Sequence, residues 1–205
     1  PENGMPLYME AGLLLEEGRD AAAMEALDVA DTAELASTYP LEAAEQRVAA
    51  LVESGLDPEV ARFLTATTAG TDEYSSLVML SEQLLQYGAY YESLGDVTTA
   101  RRIYEAVLEM GAQLDRGALL ANERLAALDT KADALRELQR VYQSPENLRM
   151  LEQAYGGFVE DLDELDQFFT DYDAYLATAD DEALDMLATT VLESGDLAAF
   201  APETP

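Results

Sequence analysis

The sequence of 205 residues contains no histidine, no cysteine and no tryptophan, and Lys131 is its single lysine. Without histidine there is no imidazole to act as a general base or to bind a metal ion. Without cysteine there is no disulfide and no thiolate for zinc binding or catalysis. The composition therefore excludes serine-histidine and cysteine-histidine nucleophiles, and also di-iron sites of the Glu-x-x-His type.

Basic residues are scarce, since 42 acidic side chains face 11 basic ones and the formal net charge is −31. Nucleic acids and anionic membranes would each meet a surface of their own sign. Apolar runs of about 18 residues, the length that spans a bilayer, are also missing. The sequence therefore predicts no nucleic-acid partner and no membrane span in this chain.

The chain begins at Pro1 and its first methionine is Met5, so we expect a processed or truncated chain. That expectation favours an exported or membrane-anchored soluble domain. The excess of acids is instead typical of a salt-rich cytoplasm. The preference for arginine over lysine does not decide, because a GC-rich genome would also favour arginine. Both localisations stay open at this point.

Apolar residues recur at spacings of three and four along almost the whole chain, and alternating strand-like runs are missing. The sequence therefore predicts an all-α fold. The expected helices span residues 5–17, 20–37, 41–54, 58–68, 72–94, 97–113, 117–142, 146–155, 158–178 and 181–194.

A short sequence motif recurs along the chain. In each copy a helix is expected to end at a glycine beside acidic residues, and the next helix begins directly afterwards. The glycines are Gly18, Gly55, Gly95 and Gly195. The first three are 37 and 40 residues apart, within the range of about 34 to 47 residues that is typical of repeated helical hairpins. We expect each glycine to adopt a left-handed conformation at the end of its helix.

One copy, Ser81–Gly111, carries a pattern of small and aromatic residues at fixed spacing. Its members are Leu84, Gly88, Tyr91, Gly95, Asp96, Ala100, Tyr104 and Leu108. This pattern resembles the tetratricopeptide repeat, and it departs from that family at Tyr87, Val107 and Ala112. A looser copy consists of Ala11, Leu14, Gly18, Ala23, Leu27 and Ala30.

The resemblance implies antiparallel helical hairpins stacked as an irregular solenoid, with longer helices at the C-terminal side. We expect hairpins in residues 1–114 and a long-helix region in 115–205, packed together as one continuous domain. In the family, the first helix of each hairpin lines a binding groove. By that register the groove residues are Glu82, Leu85, Ala89, Glu92 and Ser93, with Met5, Tyr8 and Gly12 in the looser copy.

Two long helices are expected in the second half of the chain. The helix at 117–142 has one apolar seam, and a second seam follows the break that we expect at Gly156 and Gly157. The second seam consists of Phe158, Leu162, Leu165, Phe169, Tyr172 and Leu176. We expect it to pack on the 117–142 helix, with self-association or a partner helix as alternatives.

Charge is unevenly distributed along the chain. Residues 1–100 carry 19 acids and 3 bases, residues 101–149 carry 8 of each, and residues 150–205 carry 15 acids and no base. We therefore expect the cations of the middle segment to face the acidic C-terminal helix. These cations are Arg124, Lys131, Arg136 and Arg140.

No motif for catalysis, a cofactor or a metal ion emerges. Asp171, Asp173 and Glu182 have the spacing of an EF-hand loop, but Tyr175 and Leu176 stand where that loop needs an oxygen ligand and a glycine. We therefore expect a non-enzymatic scaffold or adaptor subunit of a larger assembly. Its partner would be another protein with a basic or amphipathic segment.

Two other functions stay open from the sequence, namely a helical module that binds a small ligand or a cation, and a carboxylate-dependent hydrolase. Assembly into a homo-oligomer is open as well.

Overall fold

The computed structural model describes residues 2–69 and 71–200, apart from the side chains of residues 71–73. Of these described residues, 82% are helical and none forms a strand, so the predicted all-α class is confirmed. The helices in chain order are α1 (Met5–Glu16), α2 (Asp20–Ala30), α3 (Pro40–Glu53), α4 (Pro58–Thr68), α5 (Thr71–Ser93), α6 (Val97–Gly117), α7 (Ala121–Val141), α8 (Pro145–Leu176), α9 (Asp181–Ser194) and α10 (Asp196–Ala199).

Most helices pack against a neighbour in the chain. α1 packs on α2, α5 on α6 and α7 on α8, while α5 also contacts α1 and α7. The main core lies between these helices, and it includes the fully buried side chains of Tyr8, Leu27, Leu84, Ile103 and Met110. Within the described residues, no helix combines the length and the apolar character that crossing a bilayer demands.

α3 and α4 form a pair that packs on α9 instead of on the main core. The residues that these three helices bury are small or of medium size. They are Pro40, Ala44, Ala61, Thr65, Ala188 and Val191. This layer therefore buries much less apolar surface than the main core does.

Four tight turns reverse the chain at the predicted glycines. The φ angles are +69° at Gly18, +99° at Gly55, +82° at Gly95 and +84° at Gly195. L-residues rarely adopt such angles, whereas glycine adopts them without steric cost. The predicted positive φ is therefore confirmed at all four positions, although ψ at Gly195 is 160°, outside the left-handed helical region.

A close approach at Gly88 holds α5 against α6. A Cβ atom placed on Gly88 would lie 2.2 Å from a ring carbon of Tyr104, whose side chain is fully buried. The Tyr104 hydroxyl donates a hydrogen bond of 3.0 Å to Glu92, one turn further along α5. The ring of Tyr104 therefore occupies the space that any side chain at position 88 would need.

α2 ends at Ala30, seven residues before the predicted end, so this part of the prediction was wrong. The Gln113 side chain donates a hydrogen bond of 3.0 Å to the carbonyl oxygen of Ala30. Further along, the Ala36 amide donates to the Gln113 carbonyl oxygen, and the Asn3 side chain bonds the backbone of Ser37. These tertiary hydrogen bonds replace those of a continued helix.

α8 is continuous through Gly156 and Gly157, so the predicted break was wrong. The predicted seam on this helix is only partly correct. Leu165 is buried among residues of α7, and Phe158 packs beside it. The next aromatic residue that packs on this cluster is Phe168, which is partly buried, rather than Phe169. Three residues of the predicted seam are exposed, namely Leu162, Phe169 and Leu176.

An ion-pair cluster joins α6, α7 and α8. The Lys131 ammonium on α7 lies 2.8 Å from Asp115 on α6 and 2.6 Å from Asp161 on α8, and the Lys131 side chain is only 12% exposed. Arg124 on α7 pairs with Asp115 at 3.2 Å and with Glu164 on α8 at 2.7 Å. The expected contact between the basic middle segment and the acidic C-terminal helix is therefore confirmed for Lys131 and Arg124.

The other two cations do not face α8, so the expectation was wrong for them. Arg136 pairs with Asp133 on its own helix, and Arg140 pairs with Glu137 and with Glu92 on α5. α7 contacts α5 as well as α8, so Arg140 reaches an acid of α5, while Arg136 finds its partner one turn away on α7 itself.

We expect the Gly88→Ala substitution to lower the free energy of unfolding by about 2–3 kcal/mol, because the added methyl group overlaps the Tyr104 ring. Gly157→Ala is the matched control. A Cβ atom there meets nothing within 4 Å, so alanine should raise the free energy of unfolding by about 1 kcal/mol through helix propensity. Urea denaturation measures both values, and a shift of the same sign in both variants would contradict the close packing.

We expect Lys131→Met to lower the free energy of unfolding by about 2–3 kcal/mol, because Asp161 would lose its paired ammonium and Asp115 would keep only its ion pair with Arg124. The matched control is Arg136→Met. Its ion pair is exposed and lies within one helix, so its loss should cost about 0–1 kcal/mol. Urea denaturation at low salt measures the free energy of unfolding of both variants. An equal loss in the two would show that the cluster does not stabilise the fold.

Candidate functional site

An open groove of about 920 Å³ runs between α1 and α5. Residues 37–39, which precede α3, close one end of it. The apolar residues that line the groove are Met5, Pro6, Met9, Leu13, Tyr39, Leu77, Met79 and Leu80. The polar lining consists of Asn3, Ser37, Thr38, Ser76, Glu82, Gln83 and Gln86.

The rim of the groove exposes large apolar side chains. Met9 is 56% exposed, Leu13 is 62% exposed and Met79 is 69% exposed. A contiguous exposed apolar surface of this kind is typical of binding sites on soluble proteins. Methionine side chains are flexible and polarisable, so they adapt to apolar partners of different shape.

Contacts between α1 and α5 position the two walls. A Cβ atom on Gly12 would lie 3.3 Å from Leu80, so the two helices approach closely at this point. Further along, the Gln83 side chain donates a hydrogen bond of 2.8 Å to Glu16. Met5 and Leu77 are buried beneath the rim. The floor is therefore part of the packed core, and only the rim is free to move.

Tyr39 has the backbone conformation of a left-handed helix, with φ of 56°. Among the described residues it is the one non-glycine residue with a positive φ angle. This conformation costs about 1–2 kcal/mol for an L-residue. Such strain concentrates at functional sites, and here it places an exposed aromatic ring at the end of the groove.

The surroundings of the groove are acidic. Its described lining contains one acid, Glu82, and no base. α1 and α5 contain no lysine or arginine along their whole length, while Glu10 and Glu16 stand exposed on α1. The groove therefore favours a cationic or apolar ligand over an anionic one.

The structure places only some of the predicted groove residues in the groove. Met5, Gly12 and Glu82 lie on the facing sides of α1 and α5. Tyr8 does not line a surface, because it is fully buried and its hydroxyl donates a hydrogen bond of 3.2 Å to Asp31. Tyr8 therefore belongs to the core between α1 and α2.

The remaining predicted residues lie outside the groove. Leu85 is half-buried and packs in two neighbouring apolar clusters. Glu92 is engaged by the Tyr104 hydroxyl and by Arg140. Ala89 and Ser93 are exposed further along α5, beyond the lining of the groove. The face of α5 that meets the groove is instead the one that carries Ser76, Met79, Leu80, Gln83 and Gln86.

Sequence reasoning missed Met9, Leu13 and Met79, which form the rim. One signal was present, because α1 is apolar around most of its circumference. A helix that is apolar on several faces needs more than one partner. α1 packs on α2 and α5 inside this chain, and its remaining apolar face is the wall of the groove.

The groove does not bring two carboxylates together. Its described lining has Glu82 alone, and nowhere in the described part of the chain do three or more acidic side chains form a group that could hold a metal ion. A partly buried carboxylate lies elsewhere, at Asp196, which accepts a hydrogen bond of 2.7 Å from the Ala121 amide at the start of α7. Burial raises the pKa of Asp196 to about 6, although its backbone hydrogen bonds act in the opposite direction.

Comparison with models of known families finds no match for this chain, and no curated protein or solved structure is similar to it at a significant level. Function must therefore be argued from the residues of the groove and of the remaining surface.

We expect the protein to become more stable as the pH falls from 7.5 to about 5, and Asp196 to account for part of the gain. Its pKa is about 6 in the native state and about 3.9 in an unfolded chain. The native state therefore binds the proton more tightly, so this contribution is complete below about pH 4 and is lost as the pH rises through 6.

Thermal unfolding at several pH values tests this expectation. Asp196→Asn keeps an acceptor for the Ala121 amide but cannot ionise, so its melting temperature should change less between pH 5 and 7.5 than that of the wild type. Asp185→Asn removes an exposed acid of α9 as the matched control. Identical pH profiles for both variants would rule out a special role for Asp196.

Proposed function

We propose that this protein is a non-enzymatic adaptor that binds an amphipathic, basic segment of another protein in the groove between α1 and α5. The observation that carries the proposal is the exposed, methionine-rich rim of an apolar groove whose described lining contains no base. Such a surface suits the apolar face of a helix with basic residues at its edges.

The proposed architecture is an irregular solenoid that resembles tetratricopeptide repeats. Its hairpins would be α1–α2, α5–α6 and α7–α8, with α3–α4 as an insertion beside the stack. Two observations support this arrangement. α5 contacts both α1 and α7, as the first helices of successive hairpins would. The approach of Tyr104 to Gly88 lies at positions that carry the resemblance.

In this arrangement the groove lies on the first helices of two successive hairpins. Stacked hairpins present extended concave surfaces, and such surfaces bind segments of other proteins. α1 has 12 residues, which corresponds to a wall about 18 Å long at about 1.5 Å per residue. The groove would therefore hold roughly three turns of a partner helix.

The energy of binding would come from the apolar rim, and the specificity from charge. Covering Met9, Leu13 and Met79 removes apolar surface from water, at about 25 cal/mol for each Å² covered. The acidic surroundings would increase the rate of encounter with a basic segment and disfavour acidic ones. Since exposed charges are screened by salt, affinity should fall as ionic strength rises.

Fluorescence anisotropy with a labelled synthetic helix tests the groove. The probe carries leucine on one face and lysine at the edges of that face. We expect Leu13→Ser and Met79→Ser to weaken its binding at least tenfold, because both side chains would be covered in the complex. Glu82→Lys should weaken binding through charge repulsion, and this loss should shrink at high salt.

Met186→Ser is the matched control, because Met186 is equally exposed but lies on α9, away from the groove. Its affinity for the probe should equal that of the wild type. Circular dichroism confirms that each variant keeps its helical content. If Leu13→Ser and Met79→Ser bind the probe as Met186→Ser does, the groove is not the binding site.

A further inference from the structure

A second apolar surface runs along the outside of α8. Leu148, Tyr155, Leu162, Phe169 and Leu176 recur at every seventh residue of this helix. All of them are exposed except Tyr155, which is half-buried, and the exposed Val159 lies beside them. We call these six residues the α8 stripe. A heptad spacing is the one that keeps apolar residues facing a partner helix along a shared seam.

Within the described chain, Tyr155 of the α8 stripe packs against the cluster that contains Tyr142 and Leu151. The other five side chains of the stripe are more than a third exposed. α8 packs on α7 through a neighbouring face, which carries Leu151, Phe158, Leu165 and Phe168. Asp161 and Glu164 on α8 pair with cations of α7 and fix the rotation of the helix about its axis. The helix that follows, α9, packs on α3 and α4.

The charges beside the α8 stripe indicate which kind of helix could pack on it. Glu152, Asp166 and Asp173 lie between the apolar residues, four positions after the heptad members, and residues 150–205 contain no base at all. A second copy of this helix would bring carboxylates against carboxylates. A helix with arginine or lysine at the matching positions would instead pair with them, as flanking charges do in coiled coils.

We propose that the α8 stripe docks a helix of a partner protein that carries apolar residues in heptad register and basic residues beside them. The stripe from Leu148 to Leu176 extends over about 42 Å at about 1.5 Å per residue, so the partner helix would contribute about four heptads. This surface is separate from the groove between α1 and α5, and the two proposals can fail independently.

Isothermal titration calorimetry with a designed helix tests the proposal. The probe has four heptads, with leucine at each seventh position and arginine at the positions that would meet Glu152, Asp166 and Asp173. We expect binding to the wild-type protein, and affinity at least tenfold lower for the double variant Leu162→Ser, Phe169→Ser. A probe with glutamate in place of each arginine should not bind.

The groove variant Met79→Ser serves as the matched control and should bind this probe as the wild type does. If Met79→Ser weakens binding and the double variant does not, the probe occupies the groove and the proposal for α8 is wrong. Failure of the wild type to bind the probe would also overturn it.

The alternative, in which a second copy of this chain covers the α8 stripe, is tested by the oligomeric state. Light scattering after size-exclusion chromatography, at about 0.1 M and about 1 M salt, should show that α8 does not mediate self-association. A dimer that the Leu162→Ser, Phe169→Ser variant abolishes would assign the α8 stripe to a second copy of this chain and overturn the proposal.

Discussion

The arrangement of the C-terminal half depends on one ion pair, between Lys131 and Asp161. With 11 bases for 42 acids, the chain has few cations to place, and it places its single lysine between α6 and α8. A partly buried lysine needs partners, because desolvation without them would be costly. The contact therefore fixes which side of α8 faces α7, and the same rotation leaves the α8 stripe in solvent.

Tyrosine hydroxyls provide hydrogen-bond donors to carboxylates, which in other proteins are often paired with lysine or arginine. Tyrosine hydroxyls donate hydrogen bonds to carboxylates on neighbouring helices or turns, in pairs that include Tyr8–Asp31, Tyr74–Asp129, Tyr104–Glu92 and Tyr142–Glu105. In Tyr8, Tyr104 and Tyr142, burial is the first cause that raises the pKa of the phenol, followed by the neighbouring acid. These rings fill the core and satisfy acids at its edge, and they add no positive charge to the surface.

Local signals were sufficient for part of this fold. Gly18, Gly55, Gly95 and Gly195 were predictable as turns with a positive φ angle, because the requirement lies in the residue itself. The end of α2 was not predictable, since it depends on hydrogen bonds from Gln113, 83 residues away. The observed groove lies between the two helices that carry the predicted groove residues, but most of those residues lie on another face of α5. Which face of α5 meets the groove depends on how closely α1 approaches at Gly12.

The layer of α3, α4 and α9 gives the molecule an uneven distribution of stability. Its buried residues are small, whereas the main core contains Tyr8, Leu84 and Ile103. Segments that bury little apolar surface open at lower free energy than the rest of a domain, so backbone amides in this layer should exchange with solvent hydrogen sooner than those of α5 and α6. Tyr39 joins the groove directly to α3. Each local opening of the layer would therefore release the strained end of the groove, and occupancy of the groove would slow that exchange.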